Sequence, residues 1–149
     1  MDKEIKELVE ECLSKVGYGR LREELNRVLS LHDGEDILTI IVNEGVHPHA
    51  AVHERGEVYI ASMGNLDFSS KERAEEEFQK ILLGVAQKLK SKIWRKIYIV
   101  PFGPPILAMQ IKLLVYRISR IETIDVLRAG NGIYYDLEIN QRDIAVKQK

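Results

Sequence analysis

Apolar positions recur along the first thirty residues with the period of a helix. Ile5, Leu8, Val9, Cys12, Leu13 and Val16 fall at i, i+3, i+4, i+7, i+8 and i+11, which predicts one amphipathic helix. Gly17 stands where a C-cap is wanted, and a second stripe of Leu21, Leu25, Val28 and Leu29 runs to Asp33-Gly34. Each stripe has to be buried against the rest of the chain or against a partner. Together they offer more apolar surface than the remaining chain needs covered. A homodimer or partner-protein interface through residues 1–31 is therefore expected.

From residue 35 the pattern changes. Ile37 to Val42 is a short, β-branched, nearly continuous apolar run, the composition of a strand buried on both faces. Val58-Tyr59-Ile60-Ala61 predicts a second strand. Ser69 stands three residues ahead of Glu72, a capping-box spacing, before a long amphipathic helix through Phe78, Ile81, Leu82, Val85 and Leu89. Ile97-Tyr98-Ile99-Val100 predicts a third buried strand, broken by Pro101-Phe102-Gly103-Pro104-Pro105. A helix follows, opened by proline and running to Ile118. Ile124 to Leu127 predicts another strand, Gly130-Asn131-Gly132 a tight turn, and the alternation from Ile133 to Asn140 a half-exposed partner in a hairpin.

The order is two helices and then β-β-α-β-α-β-β, which implies crossover units and an α/β sandwich with a mostly parallel sheet and a C-terminal hairpin. The expected organisation is an N-terminal helical segment over 1–33, an α/β domain over 34–141 and a frayed tail over 142–149.

Composition narrows the class without naming a function. With 45% hydrophobic and 30% charged residues in 149, the chain can fill one sizeable core, which excludes a disordered protein. Its apolar runs are too short to span a bilayer, and the opening MDKEIKELVEEC lacks the apolar stretch of a signal peptide. Cys12 is the single cysteine, so an internal disulfide and a cysteine-based zinc site are excluded, and a cytoplasmic location is expected. The near-neutral net charge hides an asymmetry. Residues 32–77 carry three bases against eleven acids, whereas 91–128 carry seven bases against Glu122 and Asp125. A basic stretch can attract phosphates, or it can be a solvated face.

Open α/β sheets bind ligands beyond the carboxyl ends of their strands, where helix N-termini gather. The strand ends here are Asn43-Glu44-Gly45, Ser62-Met63-Gly64-Asn65, Phe102-Gly103-Pro104-Pro105 and Arg128-Ala129-Gly130. An anionic ligand is expected at Asn43, Phe102, Gly103 and Pro104, with Lys112 and Arg128 in reach; the alternative is that Phe102 to Pro105 is simply a tight strand-to-helix turn. Gly103 lies outside the expected core, so a bulky residue there should abolish binding and leave the fold intact.

His47, His49 and His53 lie within seven residues, and a His-x-His pair can ligate a metal. Pro48 between them favours a loop, and no metalloenzyme spacing accompanies them, so no resident metal or cofactor is expected. A metal-dependent hydrolase or nuclease built on these histidines is the enzymatic alternative. No nucleophile elbow or paired carboxylates stand out, and Cys12 sits on an apolar stripe. Trp94 among Lys90, Lys92, Arg95 and Lys96 can stack on a base or seal the end of a helix. A long nucleic acid would have to dock against the acidic half of the domain, so a short nucleotide ligand fits better.

The run from Ile97 to Met109, an apolar strand, a small residue, proline and then an alanine-containing helix, resembles a SAVED-domain segment. The strands at Ile124–Leu127 and Tyr134-Tyr135 are similar to that domain's closing elements, and the resemblance covers residues 36–140. It implies a Rossmann-like, CARF-type three-layer sandwich that binds a cyclic oligonucleotide messenger in antiviral signalling, as a sensor without chemistry of its own. SAVED domains work beside nuclease, protease or TIR effectors. A chain with room for one such unit would pair with itself or with an effector. The alternative from another class is an interaction subunit that binds nothing small.

Overall fold

The computed structural model describes residues 3–32, 36–45 and 55–147. The chain divides into two compact units, Met1–Gly34 and Glu35–Lys149. The first contains α1 (Lys3–Val16) and α2 (Tyr18–His32), the helices that the two stripes predict. Gly17, at φ +85°, separates them. Its N–H donates to the carbonyl of Leu13 at 3.1 Å, and its carbonyl accepts from the Leu21 N–H at 3.2 Å, so one left-handed residue closes one helix and opens the next.

The second unit runs β1 (Ile37–Ile41), β2 (Glu57–Ile60), α3 (Lys71–Lys90), β3 (Lys96–Val100), α4 (Pro105–Ser119), β4 (Ile124–Arg128), β5 (Tyr134–Glu138) and α5 (Gln141–Val146). The strands form one mixed α/β sheet in the order β2-β1-β3-β4-β5, parallel throughout except for the antiparallel β4–β5 hairpin. β1 and β3 lie at the centre in the register Leu38↔Ile97 and Ile40↔Ile99, which explains their continuous apolar runs.

Alternation along these strands sorts the core. Leu38, Ile40, Val42, Ile97 and Ile99 pack with Ile81, Val85 and Leu89 of α3 and with Leu107, Ile111 and Val115 of α4. Ile41, Tyr98, Val100, Ile124 and Val126 form the cluster on the opposite face. Both long helices therefore lie on one face and touch each other. Among the described residues the unit has two layers, one of helix and one of sheet. The second helical layer of the expected three-layer sandwich is not among them.

Three local points sharpen the picture. The N-cap of α3 is Ser70, whose side chain accepts from the Arg73 N–H, while Ser69 turns back to donate to Asp67. Within the segment expected to fray, Gln141–Val146 form α5, which Asn140 caps by accepting from the N–H groups of Arg142 and Asp143. Along and beside β5, Ile133, Tyr135 and Ile139 are exposed while Leu137 is half-buried, because the helical layer ends at α4. No helix among the described residues is long and apolar enough to cross a membrane.

Trp94 seals the sheet rather than offering a stacking surface: it is 3% exposed, with Lys92 Nζ 4.5 Å from its ring centroid. Beside it Lys88 and Lys92 both pair with Glu57 at the start of β2. The Lys88 hydrogen bond, then that of Lys92, holds the Glu57 carboxyl below its ordinary value of 4.5. A carboxyl depressed in the folded state stabilises the fold above its unfolded pKa, and that contribution fades as the pH falls through the folded value. Glu57→Gln is expected to lose less stability than the wild type on acidification below about pH 4.5, read as the urea midpoint of Trp94 fluorescence. The carboxylate is 41% exposed, so the effect is small. Equal acid sensitivity in the two proteins would show that the cluster is fully screened.

Candidate functional site

The carboxyl ends of β1 and β2 are stitched together by one buried amide. Asn43, 4% exposed, donates through Nδ2 to Ser62 Oγ and to the Gly64 carbonyl, both at 3.0 Å. Ser62 Oγ in turn donates to the Val42 carbonyl at 2.7 Å. The ladder continues past the strands: the Glu44 N–H donates to the Ser62 carbonyl, and the Gly64 N–H donates to that of Glu44. Backbone and side chain thus satisfy one another where two parallel strands end.

β3 ends against the same amide. Gly103 has φ +91°, and a Cβ placed on it would stand 2.6 Å from Asn43 Cβ. A side chain at 103 is opposed both by backbone conformation and by contact. The expectation that a bulky residue there would spare the fold is thus overturned: Gly103 packs directly on a buried residue of the neighbouring strand. Pro104 then caps α4 with Pro105 at its first position. Two prolines leave this helix start short of donors. The N–H groups of Leu107 and Ala108 both reach the Pro104 carbonyl, which leaves that of Ile106 at the terminus.

Further along the edge, Phe102 meets Tyr134 ring edge to face, with centroids 6.2 Å apart. Tyr134 lies opposite Arg128, the exposed last residue of β4. Asn43, Phe102, Gly103, Pro104 and Arg128 therefore share one rim of the sheet, with Arg128 roughly 10 Å from β1 at the usual spacing of strands.

Lys112 is not on that rim. Its ammonium donates to Asp125 Oδ2 at 2.5 Å, and Thr123 Oγ1 donates to Asp125 Oδ1 at 2.6 Å. Asp125 thus obtains the partners that an acid inside an apolar strand requires. The sequence carried a signal for this pair, since Asp125 interrupts Ile124-Asp125-Val126-Leu127. Lys112 faces instead a concavity of about 520 Å³ between α4, the α4–β4 connection and α5, with Met109, Leu113 and Tyr116 on its wall and Arg117 and Arg142 also lining it. The helix periodicity did not disclose this cavity, because α5 lies in a segment expected to fray.

A third arrangement lies on the sheet face away from α3 and α4. Thr39 Oγ1 donates to the Arg55 carbonyl and accepts from the Arg55 N–H, at 2.7 and 2.9 Å. The Arg55 guanidinium lies 4.5 Å from the Tyr98 ring centroid and pairs with Asp136 of β5 at 2.6 Å. This clamp of Arg55 to residues of β1, β3 and β5 fixes the entry to β2. His47, His49 and His53 lie outside the described residues, and among the described residues no group of three potential metal ligands occurs. Comparison with protein-family models, with curated proteins and with solved structures returns no match to this chain.

Proposed function

We propose that residues 36–146 form a Rossmann-like ligand-binding module that acts as a non-catalytic sensor for a nucleotide-type messenger, a cyclic oligonucleotide, in antiviral defence signalling. The observation that carries the reading is the strand order. From β1 the chain passes to β2 on one side, and from β3 it passes through α4 to β4 on the other. In an open parallel sheet the crevice beyond the carboxyl ends of two strands whose connections diverge is where ligands bind. In this sheet that point falls between β1 and β3, at Asn43 and Gly103. The class of ligand rests on the resemblance of the Ile97–Met109 segment to a SAVED domain. Arg128 on the same rim supplies a cation for a phosphate, and Glu44 beside Asn43 limits how far an anion extends toward β2.

Calorimetric titration with cyclic di-, tri- and tetranucleotides tests the reading. One of them is expected to bind with an affinity that falls with salt. Arg128→Ala should weaken that binding and flatten its salt dependence by about one phosphate contact. No binding by any member of the panel, or binding indifferent to Arg128→Ala, would remove the rim as a nucleotide site.

A further inference from the structure

Within the N-terminal unit the two helices do not cover each other's apolar stripes. On α1, Leu8 is 56% exposed, and Ile5, Leu13 and Val16 are exposed beside it; on α2, Leu25 is 51% exposed, with Tyr18 and Val28 exposed beside it. The single residue Gly17 joins the helices, shorter than the about two to five residues that fold one helix back along another. A unit of 34 residues is also below the size at which a single core suffices for stability.

We infer that α1 and α2 of one copy pack on α1 and α2 of a second copy across a twofold axis, so that this protein is a homodimer through residues 3–32. Area and charge both argue for a second copy as the occupant. At these exposures one copy presents roughly 600 Å² of apolar side chain, close to the ~800 Å² per partner of a standard specific interface. The charge is self-complementary: α1 carries Glu4, Glu7, Glu10 and Glu11 against three lysines, whereas α2 carries three arginines against Glu23 and Glu24. Setting α1 of one copy beside α2 of the other brings unlike excess charges together, and the neutral sum offers little to a strongly charged partner. A twofold axis satisfies both stripes at once, because each surface then meets its complement twice. The inference does not depend on what the sheet binds.

Cys12 supplies an internal probe, since it lies on the α1 stripe between Val9 and Val16 and is exposed in the single chain. Light scattering on the full chain at micromolar concentration is expected to give twice 17.1 kDa, and the double variant Leu8→Glu, Leu25→Glu is expected to give 17.1 kDa. An unchanged urea midpoint of Trp94 fluorescence in that variant would show the sheet unit still folded. Because a charged variant can lose its helices, wild-type Cys12 is also titrated with an aromatic disulfide. Its reaction is expected to be at least tenfold slower than in denatured chain and to speed up on dilution. A wild type of 17.1 kDa, a dimer that survives the double substitution, or a Cys12 as reactive as in denatured chain would each overturn the proposal.

Discussion

Gly56→Ala is expected to destabilise the sheet unit by about 3 kcal/mol or more, the sum of a left-handed backbone forced on a side chain and of overpacking. Gly56 has φ +66° and lies against the first residue of β1. An added Cβ would stand 2.7 Å from both the carbonyl carbon and the Cβ of Ile37, and closer still to the carbonyl oxygen. The obstacle is backbone, so no rotamer change relieves it. The chain cannot move away either, because the neighbouring Arg55 is held to Thr39 by two hydrogen bonds and the β1–β2 register begins at Leu38↔Glu57. Since a domain is stable by only about 5–15 kcal/mol, the loss is a large fraction of the total. Urea unfolding followed by Trp94, the single tryptophan, should show a lower midpoint with an unchanged slope. Gly130→Ala is the control, because nothing lies within 4 Å of a Cβ there. Equal midpoints for the two variants would mean that the β1–β2 contact is softer than its geometry.

The second large effect is at the rim. Gly103→Ala should cost about 2 kcal/mol or more, from its positive φ and from the contact with Asn43. Asn43→Gly removes the contacting Cβ but also the two donors that satisfy Ser62 and the Gly64 carbonyl, at about 1–3 kcal/mol. The two substitutions together are expected to cost less than their sum, since the first clash vanishes when residue 43 has no side chain. What remains of the Gly103→Ala effect in the Asn43→Gly background measures the backbone strain alone. Strict additivity would show that Asn43 and Gly103 do not meet. The same coupling matters for ligand work: a substitution at Gly103 alters the fold before it alters a site, so Arg128, exposed and outside both core clusters, is the cleaner probe of the rim.

Much of the local structure was legible because it is written in short-range chemistry. The β-branched runs at Ile37–Ile41 and Lys96–Val100 became the buried central strands, the break at Pro101 to Pro105 became the entry to α4, and Gly130 to Gly132 became the hairpin turn. Where a neighbour competes for the same group, the local reading slipped. Ser69 spends its hydroxyl on Asp67, so the cap moves to Ser70. The tail reads as polar, yet Asn140 satisfies two N–H groups and starts α5.

The candidate site was legible only in part, for the same reason. Asn43, Phe102, Gly103, Pro104 and Arg128 were identifiable as strand ends, and strand ends gather on one rim once the strands are parallel. Lys112 looked equally suitable because a helix position reveals which face a side chain takes but not its partner. Asp125, thirteen residues later and on another element, claims it.

The sequence by itself therefore determined the elements other than α5, their order and which of their positions are apolar, because periodicity and turn chemistry act within a few residues. Tertiary structure alone decided the rest. It placed α3 and α4 on one face, left Ile133, Tyr135 and Ile139 uncovered, set β1 between β2 and β3, and brought Gly103 onto Asn43 across sixty positions of chain. Those choices depend on long-range packing and on how loops close, and a pattern of apolar positions states that a residue is buried without stating against what.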